Sequence, residues 1–474
     1  MVQEFKKVVG LLLLILMIGS LAAQAQQLKP EEIAINIMGF DEVTDFLVEA
    51  AAYPELEKVK WYGSDGSALS PKVTGTPAAA RLAAKGVWKN PTFFSLSDLG
   101  IRVYWLVRDK VGYSPDAYIF PSYDAVWVMG LAIVAAGDPR NVDAVAELVP
   151  TIAQEIYVGA SGKIVLNANG DRAGGDYATF VVREVSPNKF EWKIVSIYDF
   201  AKNAISEVKE DPLAQKPAQL PAALPSVDLA KFRGLIRATP AAAQEVTIAV
   251  LYPISGDLSG MGRANSEAVR IAVEDLNKWL RDNGFRFSFR LDIRDSETKP
   301  ETAESLFRTL HAAGIRYFLG PMTSGELGRI MGTMEGAGLK AVIISPSSTS
   351  PALAKRDSVY RLPPPDDFQG KVLAQLYKAD GVKSVIIVYR SDDWGKALAE
   401  LTKKEAEALG IKVEQMIGYD PKSPNFKPIV EQVRSTVNRL APQEAAISPL
   451  LIGAAIVAII VIAAAAYFLF LRRK

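Results

Sequence analysis

The sequence predicts an α/β fold in which parallel sheets are covered by helices on both faces. Short apolar runs rich in β-branched residues alternate with helical stretches along most of the chain, as in proteins built from βαβ units. These apolar runs are continuous, which is typical of parallel strands buried on both faces. At 474 residues the chain is too long for one typical domain, so we expect two or three compact units.

In the early part of the chain the alternation begins at residues 33–39, a continuous apolar strand candidate. The other strands predicted in this part are 58–62, 86–88, 163–166, 177–184 and 191–197, and the predicted helices are 42–53, 77–84, 97–111, 122–136 and 142–157. Ser122 is expected to cap its helix, because a serine hydroxyl can accept a hydrogen bond from a free backbone N–H of the first turn.

Residues 206–244 interrupt this alternation. They are rich in proline and alanine, with one possible short helix at 229–238, and this composition predicts a semi-rigid linker. From residue 245 the alternation resumes. The strands predicted there are 246–251, 287–293, 317–319, 340–344, 384–388 and 412–417, and the helices are 261–282, 300–313, 324–336, 367–379, 394–408 and 426–440. Residues 360–365 break the pattern, as expected for a segment that crosses between two lobes.

Both ends of the chain carry apolar segments that predict targeting and anchoring. Lys6 and Lys7 precede an apolar run that ends near a small-x-small cleavage pattern, so residues 1–25 are predicted to be a signal peptide. Residues 450–471 form an uninterrupted apolar run long enough for a transmembrane helix. The basic residues 472–474 mark a cytoplasmic tail. We therefore expect a single-pass protein of the cell membrane with its ectodomain outside.

Composition argues against several classes of function. A net charge of +1, with acidic and basic residues spread throughout, gives no nucleic-acid-binding footprint. The chain has no cysteine, which excludes disulfides, thiolate metal sites and a cysteine nucleophile. Its one histidine, His311, lies within a predicted helix and leaves no His–His metal pair. No Gly-x-Ser-x-Gly elbow or Walker loop occurs, so we expect no enzyme activity, cofactor or metal.

The most informative stretch is residues 342–351, where a short apolar strand runs into a turn. That turn carries five hydroxyls, on Ser345, Ser347, Ser348, Thr349 and Ser350. In open α/β sheets the carboxyl ends of the strands are where small ligands bind. Hydroxyls and free backbone N–H groups at such a place can hold a carboxylate without a metal. An ordinary serine-rich turn is the alternative at this stage.

Eight motifs outside the linker carry a family resemblance. Five lie in the late part of the chain: YPISGDLSGMG (252–262), GPMTSGE (320–326), IISPSSTSPAL (343–353), YRLPPPDDFQG (360–370) and YRSDDWG (389–395). Three lie in the early part: WYGSDG (61–66), YDAVWVMGLAI (123–133) and GKIVLNANGD (162–171). The chain resembles the type I periplasmic solute-binding proteins of ABC importers, nearest to the leucine/isoleucine/valine-binding type. The resemblance implies a two-lobed fold with parallel sheets flanked by helices.

The order of the motifs departs from that family. Residues 28–205 resemble the family's second half and residues 245–443 its first half, so the halves occur in reversed order. This order implies a circular permutation, in which the linker 206–244 joins the family's original ends. Two alternatives stay open: half-receptors that pair between two chains by swapping, or a degraded product without function.

The resemblance implies a carboxylate site on one side of the cleft. Ser324 and Thr349 match the family's carboxylate-binding positions, helped by the backbone near Ser347. Ser324 also opens a predicted helix, whose free N–H groups favour anions. Its alternative role is that of a plain helix cap.

The resemblance also implies an ammonium site and an aromatic wall. Asp65 matches the acidic residue that meets the ligand's ammonium group, and its alternative role is that of a turn residue. Trp394 stands where the family often has a tyrosine, while Tyr118 and Phe40 are further candidates on the opposite side, with core packing as their alternative. The tryptophan in place of tyrosine leaves the preferred side chain open, as does an aspartate in place of a longer glutamate.

The function implied is non-enzymatic. The resemblance indicates a membrane-anchored receptor that closes two lobes on an amino acid or similar small polar ligand and delivers it to a separate ABC permease. A surface receptor that senses a ligand and signals through a partner protein is the alternative.

Overall fold

The computed structural model describes residues 27–442. Glu31–Glu431 form one compact unit, and the described residues on either side of this range belong to a second. In that second unit the backbone N–H of Leu28 donates to the carbonyl oxygen of Leu440 over 3.1 Å. The predicted signal peptide at 1–25, transmembrane helix at 450–471 and tail at 472–474 lie outside the described residues.

Strands and helices alternate through most of the described chain, and we number them in chain order. The strands are β1 (Ile33–Met38), β2 (Lys60–Tyr62), β3 (Asn90–Phe93), β4 (Tyr157–Gly159), β5 (Gly162–Lys163), β6 (Tyr177–Ser186), β7 (Lys189–Asp199), β8 (Ala204–Glu207), β9 (Ser226–Val227), β10 (Gln244–Tyr252), β11 (Phe287–Asp295), β12 (Tyr317–Leu319), β13 (Val342–Ser345), β14 (Val359–Arg361), β15 (Ser384–Arg390) and β16 (Lys412–Tyr419). The helices are α1 (Val43–Ala50), α2 (Pro71–Gly75), α3 (Pro77–Lys85), α4 (Asp98–Val111), α5 (Ile119–Ala136), α6 (Val142–Thr151), α7 (Leu229–Leu235), α8 (Ser259–Asp282), α9 (Pro300–Ala312), α10 (Ser324–Ala337), α11 (Asp366–Ala379), α12 (Asp393–Ala408) and α13 (Phe426–Leu440).

Lobe 1 is built on a parallel five-stranded sheet with the order β11-β10-β12-β13-β14. The inner strands β12 and β13 are buried along their whole length, whereas the edge strand β11 carries charged residues and is partly exposed. Helix α8 shows the matching helical pattern, with buried residues four positions apart at Ala264, Ala268, Ala272, Leu276 and Leu280. Helices α4 and α5, from the early part of the chain, pack on α8.

Lobe 2 is built on a parallel sheet with the order β16-β15-β1-β2. Strand β1 therefore lies between a late strand and an early one: Ile35 is opposite Ile386 of β15 and Trp61 of β2. Residues far apart in the sequence thus complete one sheet. An antiparallel sheet, β3-β6-β7-β8, lies beside it, with α3 packed on β6.

Each parallel sheet has one position where the winding direction of the chain reverses. In lobe 1 this position lies between β10 and β12, and in lobe 2 it lies between β15 and β1. The loops after these strands diverge there and leave a crevice, which is where α/β proteins bind ligands. The residues that follow these four strands are therefore the candidates for a ligand site.

Arg172 joins segments that run between the lobes. Its guanidinium donates to the carbonyl oxygens of Ser161, Lys163 and Leu362 over 2.8–3.2 Å. It also lies 4.6 Å from the centre of the Phe93 ring at the end of β3. One buried side chain thus contacts the residue after β14, the last residue of β3 and the residues around β5.

One described helix, α5, is long and apolar enough to cross a membrane. All of its residues are buried inside the protein, as in the core helix of a globular domain. The predicted N-cap at Ser122 is wrong, because the helix begins at Ile119. Ser122 lies inside it, and its hydroxyl is 2.7 Å from the amide oxygen of Asn265 on α8.

The predicted helix 142–157 is too long. Helix α6 ends at Thr151, a π-helical turn follows over Ile152–Ile156, and Tyr157 begins β4. Pro150 has no N–H to continue the helical hydrogen bonds, and the carbonyl oxygen of Ala146 instead accepts a hydrogen bond from the Tyr360 hydroxyl at 2.5 Å.

Two strand predictions also need correction. The strand expected at 86–88 lies at Asn90–Phe93, where antiparallel pairing with β6 selects the segment. The strand expected at 163–166 is limited to Gly162–Lys163, which pairs with β4. In both cases pairing with another strand decides where the strand begins and ends, and the local sequence pattern does not contain that information.

The proline- and alanine-rich segment 206–244 is more structured than a free linker. Strand β9 pairs with β4, and α7 follows it. Phe232 of α7 is fully buried, with its ring centre 5.4 Å from Phe285 and 6.0 Å from Trp279. Leu213 is buried as well. The segment is therefore attached to the protein at several points.

Candidate functional site

A small cavity lies between the lobes, at the two positions where the winding reverses. Six of the residues expected from the sequence line it: Phe40, Asp65, Tyr118, Ser324, Ser347 and Trp394. The lining also includes residues that sequence reasoning did not single out: Gly66, Leu258, Met261, Met322 and Thr323. Its volume of about 20 Å³ holds about one water molecule. An amino acid can therefore enter only if the lobes separate or the lining side chains move.

Ser324 and the serine-rich turn form the wall of the cavity on lobe 1. Ser324 is the first residue of α10, and its oxygen accepts hydrogen bonds from the backbone N–H groups of Thr349 (3.2 Å) and Ser350 (3.1 Å). The hydroxyl of Ser347 donates to the carbonyl oxygen of Met322 over 2.7 Å. The proton of Ser324 remains available for an anion near the amino end of α10.

Thr349 does not line the cavity. It is buried behind Ser324, and its hydroxyl has no hydrogen-bond partner in the described part of the structure. Its carbonyl oxygen accepts from the backbone N–H of Asp366, the first residue of α11. A direct contact between Thr349 and a ligand thus requires a rearrangement of this turn.

A capping box holds the amino end of α10 in place. The hydroxyl of Thr323 accepts from the backbone N–H of Glu326, and the Glu326 carboxyl accepts from the backbone N–H of Thr323. Glu326 is fully buried, and this burial raises the pKa of its carboxyl to about 7. The carboxyl of Glu326 therefore holds its proton to a higher pH than an exposed glutamate does.

Asp65 faces the cavity from lobe 2. Its side chain is 5% exposed, and one carboxylate oxygen accepts a hydrogen bond from the Tyr118 hydroxyl at 2.5 Å. The other oxygen has no partner among the described residues. Burial raises the pKa of Asp65, and the hydrogen bond from Tyr118 partly opposes this effect. A buried carboxylate with a free oxygen is suited to an ammonium group.

Asp366 is a second buried carboxyl close to Asp65, and sequence reasoning missed it. It is 1% exposed, and neither of its oxygens has a hydrogen-bond partner in the described structure. Burial raises the pKa of Asp366 well above its usual value, and the negative charge of Asp65 raises it further. The signal that could have indicated this residue was its place in the YRLPPPDDFQG motif.

Stacked aromatic rings close the lobe 2 side of the cavity. Phe40 lies in the loop after β1, and its ring centre is 4.8 Å from that of Trp394, with the two rings stacked. The guanidinium of Arg390 lies 3.8 Å from the centre of the Phe40 ring. Trp394 packs so closely on Gly66 that a Cβ added there would come within 2.7 Å of the indole. Gly66 is therefore needed for the tryptophan to reach this position.

A second small cavity adjoins the first and shares Gly66, Leu258 and Met261 with it. Asp41 and Asp116 line this second cavity. The Asp41 carboxyl accepts a hydrogen bond from the Ser70 hydroxyl, and the Asp116 carboxyl accepts from the side-chain amide of Asn265 on α8. Asp116 also accepts from the backbone N–H of Tyr118 at 2.9 Å.

Among residues 27–442 no group of three or more acidic or histidine side chains is arranged to hold a metal ion.

Comparison with known proteins identifies the late part of the chain. Residues 245–443 match the family model described as periplasmic binding protein. An uncharacterized protein of Methanocaldococcus jannaschii is 34% identical over 203 residues, which cover 41% of this chain and 48% of that protein. A Leu/Ile/Val-binding protein of Rhizobium johnstonii is 27% identical over 199 residues, which cover 41% of this chain and 53% of its own.

A leucine binding protein from Thermotoga maritima of known structure aligns with 41% of this chain and 54% of its own, at 24% identity and a TM-score of 0.37. The chain spans about half the length of the curated relatives it matches. The relatives named here whose names state a role are binding proteins. Residues 245–443 are therefore similar to periplasmic binding proteins, among them Leu/Ile/Val-binding proteins.

Proposed function

We propose that this protein captures an amino acid in the cleft between its two lobes. The observation that carries the proposal is the pairing of groups across the cavity. Asp65 on lobe 2 and Ser324 on lobe 1 line the same cavity, with Trp394 alongside, and one oxygen of Asp65 has no hydrogen-bond partner among the described residues. A carboxylate acceptor, a hydroxyl donor at a helix amino end and an aromatic face match the ammonium, the carboxylate and the side chain of an amino acid.

Binding in this proposal requires the lobes to open, because the cavity holds only about one water molecule. The ligand first binds to one lobe, and closure then brings the groups of the other lobe into contact. Closure removes water from Asp65 and so strengthens its attraction for the ammonium group.

The proposal includes a circular permutation of the receptor fold. One support is the sheet of lobe 2, where β1 lies between β15 and β2. Another is that residues 245–443, which resemble the first half of the family, match the periplasmic binding protein model although they come last in this chain. The hydrogen bond between Leu28 and Leu440 brings the two cut ends close together. The permuted chain then forms both lobes by itself, without swapping between two copies.

The remaining parts of the proposal concern location and partner. The apolar run 450–471 with its basic tail supports a single-pass anchor with the ectodomain outside the cell. An ABC permease in the same membrane is the partner expected for a receptor of this family. Co-purification of the detergent-solubilised chain with such a permease tests this part.

The ligand site is tested by replacing Asp65 with alanine in the full-length chain. We expect the affinity for the bound amino acid to fall by about 2–5 kcal/mol, because the ammonium loses its buried charged partner. Isothermal titration calorimetry measures the change, and Asp282→Asn, a substitution on the exposed end of α8, is the control. Because burial already disfavours the charge on Asp65, its removal should leave the melting temperature nearly unchanged. An unaltered affinity in Asp65→Ala contradicts the proposal.

A further inference from the structure

We propose that Asp366 is a positioning residue of the ammonium site, which shares one proton with Asp65 in the free protein, and that this proton is released to the solvent when the ammonium group of an amino acid binds Asp65. The inference rests on the proposed amino-acid site and adds a proton to its binding reaction. Asp366 acts through Asp65, because Asp65 lines the cavity and Asp366 does not.

Four buried acceptor atoms in this region have no hydrogen-bond partner among the described residues. They are one oxygen of Asp65, both oxygens of Asp366 and the amide oxygen of Gln369, and these side chains are 5%, 1% and 1% exposed. An ionised carboxyl can only accept hydrogen bonds. Two neighbouring carboxyls can therefore satisfy each other only if one of them carries a proton and donates it.

Separate elements hold the two carboxyls in place. The Tyr118 hydroxyl donates to one oxygen of Asp65 over 2.5 Å, which leaves the other oxygen free. Asp366 is the first residue of α11, and its backbone N–H donates to the carbonyl oxygen of Thr349 over 2.9 Å. Gln369, in the first turn of the same helix, donates to the carbonyl oxygen of Pro91 over 2.8 Å. The pair is thus part of a fixed network and not a mobile surface cluster.

In the described structure, no cation is paired with either carboxyl. Arg361, whose charge acts on Asp366, is paired with Asp171 at 2.6 Å and donates to the carbonyl oxygen of Ser350 over 2.6 Å. Its remaining nitrogen, Nη2, makes no hydrogen bond with a described residue. Two buried carboxylates without a cation would repel each other, and one shared proton removes one of the two charges.

The electrostatics of the pair agree with a shared proton. Burial raises the pKa of Asp65, and it raises that of Asp366 well above the usual value, with a further rise from the negative charge of Asp65. Thr349 and the charge of Arg361 lower the pKa of Asp366, whereas the charge of the exposed Asp367 raises it. These effects together favour a protonated Asp366 in the free protein.

Two tyrosines are the other ionisable side chains near the pair. Tyr118 precedes α5 and Tyr177 begins β6, and both are influenced by the charges of Asp65 and Asp366. Burial and these negative charges raise the pKa of both hydroxyls well above the usual value. Both tyrosines therefore stay neutral at pH 7, and the carboxyl pair is the group that exchanges a proton.

An amino acid brings the charge and the donors that the pair needs. Its ammonium group carries one positive charge and three N–H donors, so it favours the ionised form of both carboxyls. A zwitterionic amino acid and a pair with one proton thus give the bound amino acid, a doubly ionised pair and one proton in the solvent. The affinity should therefore rise with pH, because at low pH the proton competes with the ammonium group.

Glu326 contributes a proton change of the opposite sign. The ligand carboxylate is expected beside Ser324, and a negative charge there raises the pKa of the buried Glu326 further. Binding then favours uptake of a proton by Glu326. The proton released by the aspartate pair is therefore measured by comparing variants.

The test counts protons in calorimetric titrations of the full-length chain in detergent. The twenty standard amino acids are screened, and the one that binds most tightly is titrated at pH 7 in phosphate and in Tris, whose ionisation enthalpies differ. In Glu326→Gln we expect a release of about 0.5–1 proton for each bound ligand. In Asp366→Asn the release should be lower than in the unmodified chain by at least about 0.5 proton, with binding retained. Asp367→Asn, the neighbouring exposed aspartate of the same helix, should behave like the unmodified chain.

The outcomes separate this inference from the proposed function. Amino-acid binding to Glu326→Gln without proton release overturns the inference and leaves amino-acid capture intact, and this result does not depend on the folding of Asp366→Asn. Equal release from Asp366→Asn and from the unmodified chain, at unchanged melting temperature, also overturns it. If none of the twenty amino acids binds, the proposed function fails together with the inference.

Discussion

Buried carboxyls without cationic partners distinguish the cleft at the scale of single residues. Asp65 could be proposed from the sequence because the WYGSDG motif resembles a solute-binding family with an acidic residue at that position. Asp366 could not, because it is followed by a second aspartate, Asp367, and only the fold decides that the first is buried and the second exposed. Ser324 and Ser347 could be proposed from their motifs and their places after strands. That Thr349 does not line the cavity depends on how the turn packs against Ser324.

Glu326 gives a prediction for the dependence of stability on pH. Its folded-state pKa of about 7 lies above the model-peptide value of 4.5, so the folded protein binds this proton more tightly than the unfolded chain. The resulting stabilisation is complete below pH 4.5 and is lost as the pH rises through about 7. We expect Glu326→Gln to reduce the loss of unfolding free energy between pH 5 and pH 8 by roughly 1–3 kcal/mol.

Urea unfolding at the two pH values measures this difference. Glu335→Gln is the matched control, since Glu335 is an exposed glutamate of the same helix, α10. A pH dependence that is the same in Glu326→Gln and in the unmodified chain contradicts a raised pKa of Glu326 in the folded protein.

At the scale of elements, periodicity predicts most helices and strands of the late part to within a few residues, because long βαβ units repeat a strong pattern. Failures occur where another element decides the boundary. The strand expected at 86–88 is displaced by pairing with β6, and Pro150 ends α6 early. The segment 206–244 has the composition of a linker, yet Phe232 of α7 packs against the rings of Trp279 and Phe285.

Phe232 tests whether α7 contributes to stability. Phe232→Ala should lower the free energy of unfolding by about 3–5 kcal/mol, because a fully buried ring leaves a cavity beside Trp279 and Phe285. Chemical denaturation measures the effect. Leu224→Ala, in the same segment but 43% exposed, should change stability by less than about 0.5 kcal/mol. Equal effects of the two substitutions would mean that the segment is a passive connection.

At the scale of the whole molecule, the two lobes are each assembled from both halves of the chain. Helices α4 and α5 pack on α8 of lobe 1, and β1 completes the sheet of lobe 2. The order of the motifs predicts a circular permutation, and strands from the early and late parts of the chain share the sheet of lobe 2. A single chain brings Asp65 and Ser324, 259 positions apart in the sequence, to one cavity.

Reordering the chain tests the permutation. A chain in which residues 240–441 precede residues 28–239 restores the family order, with the new join at the contact between Leu28 and Leu440. Relative to a 28–441 chain in the natural order, we expect a melting temperature within about 5 °C, because the new ends fall in an exposed connection. Differential scanning calorimetry and amino-acid titration check this expectation. A reordered chain that fails to fold, while the natural order folds, refutes the proposed permutation.

The sequence by itself determined the α/β class, the positions of most elements and the hydroxyls and carboxylate that line the cleft, because these depend on local periodicity and on motifs. The tertiary structure alone decided which carboxyls are buried without partners, how small the cavity is and that a second cavity lies beside it. The physical reason is that burial, pairing and cavity shape are set by residues far apart in the chain. Asp116 and Asn265, for example, form their hydrogen bonds only when the early and late parts of the chain pack against each other.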